Sequence, residues 1–206
     1  MSAVDFLFPV LGSELPTDHQ YPLFAAVTTL LPWLHDNRSR YALAPLTGVY
    51  VGDGRLRLLP GWSKLRIRLL AVDIPRVLPL AGKGLRVAGQ RLRLGVPHVE
   101  ALQPVQVLRA HTVVIKHATE PDTFLQAARK QLDALEIKGR IEVPLAEGER
   151  DHGQPQRHVL RVKDYTIIGY PLLVRDLTSE ASLRLQEIGI GGKRHMGGGF
   201  FLPIQS

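Results

Sequence analysis

The chain has 206 residues, 45% hydrophobic and 22% charged, with mean hydropathy near zero; this excludes a disordered polymer and leaves room for one large domain or two small ones. It contains no cysteine, which excludes a disulfide scaffold, a thiolate nucleophile and any Cys-ligated metal centre, and suits a reducing, cytoplasmic setting. The net charge of +7 is concentrated, because ten basic residues and one acidic residue lie between Arg55 and Arg93, while the other sixteen basic and eighteen acidic groups leave −2.

Val4 to Val10 is a short apolar run that ends in the breaker sequence Gly12–Pro16 and predicts a strand followed by a loop. It is far too short to span a bilayer, lacks a basic lead-in and is interrupted by Pro9, so neither a signal peptide nor a membrane anchor is expected. A helix should follow. Asp18 is placed to cap it, Pro22 is tolerable in its first turn, and Leu23, Val27, Leu30, Leu31 and Leu34 recur at helical spacing, with Pro32 obscuring the end. After Tyr41 the period becomes two, in Arg55–Leu58, Lys64–Leu69 and Arg91–Leu94. Strands there would bury the leucines and Ile67 and present the cations outward. Val72 to Leu80, broken by Pro75 and Pro79, is short helix or irregular chain.

Val107 to Lys116 predicts another strand, and Thr119 a cap for a helix in which Phe124, Ala128, Leu132 and Leu135 share a face. Arg140 to Leu145 and His158 to Val162 read as strands joined by a polar hairpin, residues 146–157. A strand over Tyr165–Val174, a helix over Ser179–Ile188, a glycine-rich loop from Gly189 to Gly199 and a strand from Phe200 to Ile204 complete the order. The fold class expected is α+β, two tandem ferredoxin-like (RRM-like) βαββαβ domains, with the second half the clearer match. The boundary is placed between an N-terminal domain, 1–103, and a C-terminal domain, 104–206.

Three features carry candidate chemistry. Six of the eleven residues from Gly189 to Gly199 are glycine, and Lys193, Arg194 and His195 sit among them. Glycine allows close backbone approach, so the amides of Gly191 and Gly192 together with that basic triplet form a candidate anion cradle. The loop lacks the Gly-Lys-Ser/Thr of a Walker motif, and Arg194 stands where a dinucleotide fingerprint needs glycine. Second, the basic strand Lys64, Arg66 and Arg68 offers a row of cations to a polyanion, whose neutralised phosphates release counterions. Third, His19 stands at the opening of the first helix, where the helix dipole favours a neutral imidazole able to accept a proton, with Tyr21 close enough in sequence to assist and Asp18, if not occupied as the cap, to orient the ring. There is no His-Glu-x-x-His, no Gly-x-Ser-x-Gly and no acidic cluster suited to magnesium, so no metal and no cofactor is expected.

The N-terminal strand leading into Leu15-Pro-Thr-Asp-His19-Gln-Tyr-Pro-Leu-Phe24, the tandem ferredoxin-like order and the segment Leu185-Gln-Glu-Ile-Gly-Ile-Gly-Gly-Lys-Arg-His-Met-Gly-Gly-Gly-Phe-Phe201 together resemble the CRISPR-associated endoribonucleases that process precursor crRNA, members of the RAMP superfamily. The resemblance spans the whole chain. It implies a metal-independent RNase that binds CRISPR repeat RNA and cuts one phosphodiester through the neighbouring 2′-hydroxyl. The products are a 2′,3′-cyclic phosphate and a 5′-hydroxyl, and the crRNA is often retained with other effector-complex subunits. It also implies a histidine in or before the first helix as general base or acid: His19 by position, with His35 at the far end as its substitute. Arg38, Arg40 and Lys193 are candidates to stabilise phosphorane charge, and the 146–157 hairpin, with Arg150 and Arg157, joins the basic strand as a candidate grip on the repeat. The alternative is a RAMP subunit that binds crRNA without cutting it. It shares every feature except the histidine.

Overall fold

The computed structural model describes residues 3–146, 153–162 and 165–204, which divide into two compact units, Met1–Ala101 and Leu102–Ser206. In chain order the first contains β1 (Ala3–Leu11), β2 (Glu14–Pro16), α1 (Gln20–Leu30), α2 (Pro32–Asp36), β3 (Tyr41–Leu43), β4 (Val49–Tyr50), β5 (Arg55–Arg57), β6 (Lys64–Leu70), α3 (Ile74–Val77) between two 3₁₀ turns, β7 (Gly84–Val87), β8 (Gln90–Leu94) and β9 (His98–Ala101). The second contains β10 (Leu108–Val113), α4 (Pro121–Ala134), β11 (Arg140–Glu142), β12 (His158–Val162), β13 (Tyr165–Arg175), α5 (Ser179–Ile188) and β14 (Phe201–Pro203).

Both units have the ferredoxin-like strand order. In the first, β9, β1, β6 and β3 lie side by side, each antiparallel to its neighbour, which is the fourth-first-third-second order of a βαββαβ unit. Seven residues of β1, Ala3 to Pro9, pair with β6; its last two, Val10 and Leu11, pair instead with β8. The β7–β8 hairpin therefore stands where the ferredoxin pattern has most of its second helix, and the proline-broken segment before it forms only short helical turns. In the second unit β14, β10, β13 and β11 repeat the order. Phe124, Ala128 and Leu132 of α4 and Leu185 of α5 close its core against Leu108, Ala110, Tyr170, Leu172 and Val174 of the sheet.

Several details differ from the sequence reading. Pro32 divides the first helical region: α1 stops at Leu30, Leu31 leaves helical geometry, and Pro32 opens α2, because its ring cannot continue the preceding helix. The N-cap of α1 is His19 rather than Asp18. In the same way α4 starts from Glu120 with Pro121 at its first position, and the Thr119 carbonyl accepts from the Tyr170 hydroxyl at 2.6 Å. The segments β11 and β12 pair with successive stretches of β13 and not with each other. Between them the chain makes its own excursion, in which the Ala146 amide donates to Gln154 O (2.8 Å) and the Gln156 amide to Pro144 O (2.7 Å).

Candidate RNA-processing site

His19 is 1% exposed and both ring nitrogens are occupied: Nδ1 lies 2.9 Å from Pro16 O, and Nε2 lies 2.9 Å from the Leu46 amide. An amide can only donate, so Nε2 is the acceptor and Nδ1 carries the proton. Burial pushes the imidazole below its usual range, keeping it neutral, as the position in the sequence led one to expect. The cause differs, however. The lone pair that a base would use is spent on the Leu46 amide, so the ring clamps the segment before α1 to the chain after β3. Tyr21 is half-buried in the first turn of α1.

His35, near the end of α2, is the opposite case. Its side chain is 55% exposed. Nδ1 faces Asp36 Oδ1 at 3.3 Å and Nε2 faces the Arg38 guanidinium at hydrogen-bond distance. Since the guanidinium is purely a donor, Nε2 offers the lone pair and Nδ1–H points to the carboxylate. Phe24 of α1 backs the pair: its ring is stacked on His35 at 6.3 Å between centroids, and Arg38 lies over it at 5.5 Å. Arg38 is anchored further by donating from Nε to His35 O at 3.0 Å. The break at Pro32 makes this arrangement possible, since α2 leaves the line of α1 and returns His35 against the flank of Phe24.

Arg40, expected to face a phosphate, is instead engaged by the buried Asp73, at 2.9 to 3.2 Å through Nε and Nη2. Arg76 shares that carboxylate at 3.6 Å, and both guanidiniums lie within 6.0 Å of the Trp33 ring centre.

The basic strand is also accounted for internally. Asp5 of β1 lies opposite Arg68 and receives its Nε (2.7 Å) and Nη2 (2.9 Å); both residues are buried. Arg66 donates to Asp5 (2.7 Å) and Glu100 (3.2 Å), and Lys64 lies 4.0 Å from Glu100. Leu65, Ile67 and Leu69 are buried as expected, but the other face of β6 is a cross-strand ionic ladder rather than a free cationic row. In the sequence this was concealed: Asp5 and Glu100 come from opposite ends of the unit and meet β6 only through strand register.

The glycine-rich loop packs on β10 and its continuation. The amides of Gly191 and Gly192, expected to hold an anion, donate to Gln131 Oε1 (2.7 Å) and Val114 O (2.8 Å); Gly199 N donates to Thr112 O (2.8 Å). Close approach is nonetheless why glycine is needed. A Cβ on Gly199 would stand 2.0 Å from Ile190 O, and one on Gly191 2.6 Å from Val114 O, both at positive φ. What the loop presents is Lys193, exposed and held at φ +65°, followed by the 3₁₀ turn Arg194–Met196. Arg194 donates to Glu187 O (2.9 Å), and His195 is half-buried. Arg157 is exposed just before β12; Arg150 lies outside the described residues. The neighbouring His158 is set 2.8 Å from Thr112 Oγ1 and against His111, and burial, reinforced by Arg109, holds it below its ordinary pKa.

Residues 4–206 match the Cas6 family, described as "Cas6 Crispr". The chain belongs to the Cas6 family. A curated relative, the CRISPR-associated endonuclease Cas6 of Myxococcus xanthus, is 39% identical over 203 residues, covering 98% of this chain and 82% of the relative. Among solved structures, a CRISPR associated protein Cas6 superposes with a TM-score of 0.68 at 13% identity, covering 99% of this chain and all of the other. A Cas6-related protein from Pyrococcus furiosus gives 0.67 at 12%, covering 99% of each chain. At that identity these structures speak for the fold, tandem ferredoxin-like units, as read from the strand order. Among the described residues of this Cas6 chain no three His, Asp or Glu side chains converge in a way that would hold a metal ion, and no helix is long and apolar enough to cross a membrane.

Proposed function

We propose that the chain is a cytoplasmic endoribonuclease that binds CRISPR repeat RNA and cuts precursor crRNA without a metal, and that His35, not His19, moves the proton. Family membership and the curated endonuclease relative support the activity. The observation that carries the assignment is the exposed His35–Arg38 pair on Phe24, with the imidazole lone pair turned toward a guanidinium.

RNA supplies its own nucleophile. In the proposed reaction Nε2 of His35 takes the proton of the 2′-hydroxyl as that oxygen attacks the adjacent phosphorus. The 5′-oxygen leaves and acquires a proton from water, which gives a 2′,3′-cyclic phosphate and a 5′-hydroxyl. Arg38, which occupies Nε2 in the absence of RNA, transfers its N–H groups to the phosphate oxygens when substrate arrives. One movement thus frees the base and places a cation where phosphorane charge develops. Asp36 holds the Nδ1–H tautomer that this requires. Tyr21 belongs to the same helical region and is kept as an assisting residue. Lys193 and Arg157, both exposed, are proposed to grip the repeat, and the cleaved crRNA to stay bound, in company with other effector subunits.

The test is cleavage of a repeat transcript in EDTA by the wild type, His35→Ala and His19→Ala. Loss of cutting in the His35 variant with retained RNA binding is the expected result. Dependence on added metal, or full activity without His35, overturns the mechanism. Tight retention of uncut RNA by the wild type would point to the non-cutting subunit instead.

A further inference from the structure

The ten cations between Arg55 and Arg93 do not form one surface. Arg55 and Arg57 meet Glu14, the β6 residues meet Asp5 and Glu100, and Arg76 meets Asp73. Four are left, Lys83, Arg86, Arg91 and Arg93, and among the described residues none of them has an acidic partner. All belong to the β7–β8 hairpin or its entry, where the alternation of Arg91–Leu94 predicts outward-facing cations.

The hairpin fixes their arrangement. Its strands alternate strictly: Leu85, Val87, Leu92 and Leu94 are buried, while Gly84, Arg86, Arg91 and Arg93 are exposed. Register sets Arg86 directly opposite Arg91 and Gly84 opposite Arg93, and on the other side of β8 the 51% exposed Leu11 lies opposite Arg93. The two-residue turn holds this register, with Ala88 at φ +47° and Gly89 at +82°, the pattern of a type I′ turn. A Cβ added at Gly84 would meet nothing nearer than Leu92 O at 3.8 Å, so the face beside Arg93 is open.

Like charges directly opposite each other on a sheet destabilise it, and among the described residues no carboxylate relieves Arg86 and Arg91. A polyanion would. Arg91 and Arg93, two residues apart on one strand, are separated by about 6.8 Å, comparable to the distance between successive phosphates of a nucleic-acid strand. Guanidinium forks suit phosphate oxygens, and Leu11 adds an apolar contact for a sugar or base edge. We propose that the exposed face of the β7–β8 hairpin is a second RNA-backbone site, which tracks phosphates of a single-stranded segment flanking the cut. It rests on the RNA-processing reading, but not on His35.

Filter binding of a repeat transcript over a series of KCl concentrations tests it, with wild type, Arg86→Gln/Arg91→Gln/Arg93→Gln, and a control, Arg55→Gln/Arg57→Gln/Arg140→Gln, that removes equal charge from paired positions. Three lost contacts to a single strand should flatten the slope of log K against log salt by about 2, from about 0.7 per phosphate, while the control keeps the wild-type slope. The corresponding triple Lys variant should retain it as well. Should the triple Gln variant fail to fold, Arg91→Gln alone, with a change of about 0.7, decides. An unchanged slope in the Gln variants, or an equal change in the control, overturns the hairpin site while wild-type cutting of the same transcript leaves the RNA-processing reading intact. If the wild type neither binds nor cuts the transcript, both fall.

Discussion

His19 and His35 stand at the two ends of one helical region and have opposite fates. The first is sealed in the fold with both nitrogens bonded to backbone; the second is exposed and meets a guanidinium, the pair backed by an aromatic ring. A histidine at the mouth of a helix invites a catalytic reading, because the dipole keeps it neutral. Neutrality is a necessary property of a base, but a lone pair the substrate can reach is another, and of the two only His35 has its acceptor nitrogen at the surface, paired with an exposed side chain instead of a buried amide. The basic strands repeat the lesson. On β6 the cations are consumed by Asp5 and Glu100, whereas on β7–β8 the same alternating pattern leaves them without acids among the described residues.

The two histidines should differ most in catalysis. His35→Ala should lower the single-turnover cleavage rate by about 10² to 10⁴-fold, the usual range for a lost general base, with stability within about 0.5 kcal/mol of wild type in a urea titration. A rate close to wild type would exclude His35 as the base. Arg38→Ala should cost about 10² to 10³-fold if it meets the phosphorane.

Next in size is the ladder under β6. Asp5→Ala removes the carboxylate that pairs with the buried Arg68 guanidinium and is expected to destabilise by about 3 to 5 kcal/mol, measured by chemical denaturation. A change below about 1 kcal/mol would mean that the Asp5–Arg68 pair does not hold the two strands together.

His19→Ala leaves the buried Leu46 amide without its acceptor and should cost about 1 to 3 kcal/mol, with a cleavage rate on folded protein near that of wild type. It carries a pH signature too. Because burial lowers the folded-state pKa, the unfolded chain binds the proton first, so the contribution of His19 is complete above the ordinary histidine pKa of about 6.5 and is lost as pH falls through the folded value. Wild-type stability should therefore decline on acidification below about pH 6.5, and the variant should decline less. Parallel curves would contradict the clamp.

The smallest expected effect lies in the glycine loop. Lys193 holds a left-handed conformation that glycine adopts freely. Lys193→Gly should leave stability unchanged or slightly raised, and reduce the salt slope of repeat binding by about 0.7 if its ammonium is one phosphate contact. An unaltered slope removes Lys193 from the RNA surface.

Much of the fold could be read along the chain, because period and punctuation are local. The alternation through Lys64–Leu69, the face shared by Phe124, Ala128 and Leu132, and the span of α5 follow from residues a few positions apart. The recurrence of these patterns in βαββαβ order, together with the glycine-rich segment near the end, led to the right family. The break at Pro32 was visible as an interruption, but not that it turns His35 back onto Phe24.

The amino-acid order alone fixes the succession of strands and helices in two ferredoxin-like units, the place of the glycine-rich loop and the surplus of positive charge. The tertiary structure alone decided which charges and which imidazole remain available. Asp5 meets Arg68 across sixty-three positions of chain, Leu46 meets His19 across twenty-seven, and Gln131 reaches Gly191 across sixty. Charge and basicity belong to a residue type, but availability depends on what strand register and packing set within about 3 Å of it, and such neighbours are fixed only when distant segments close on one another.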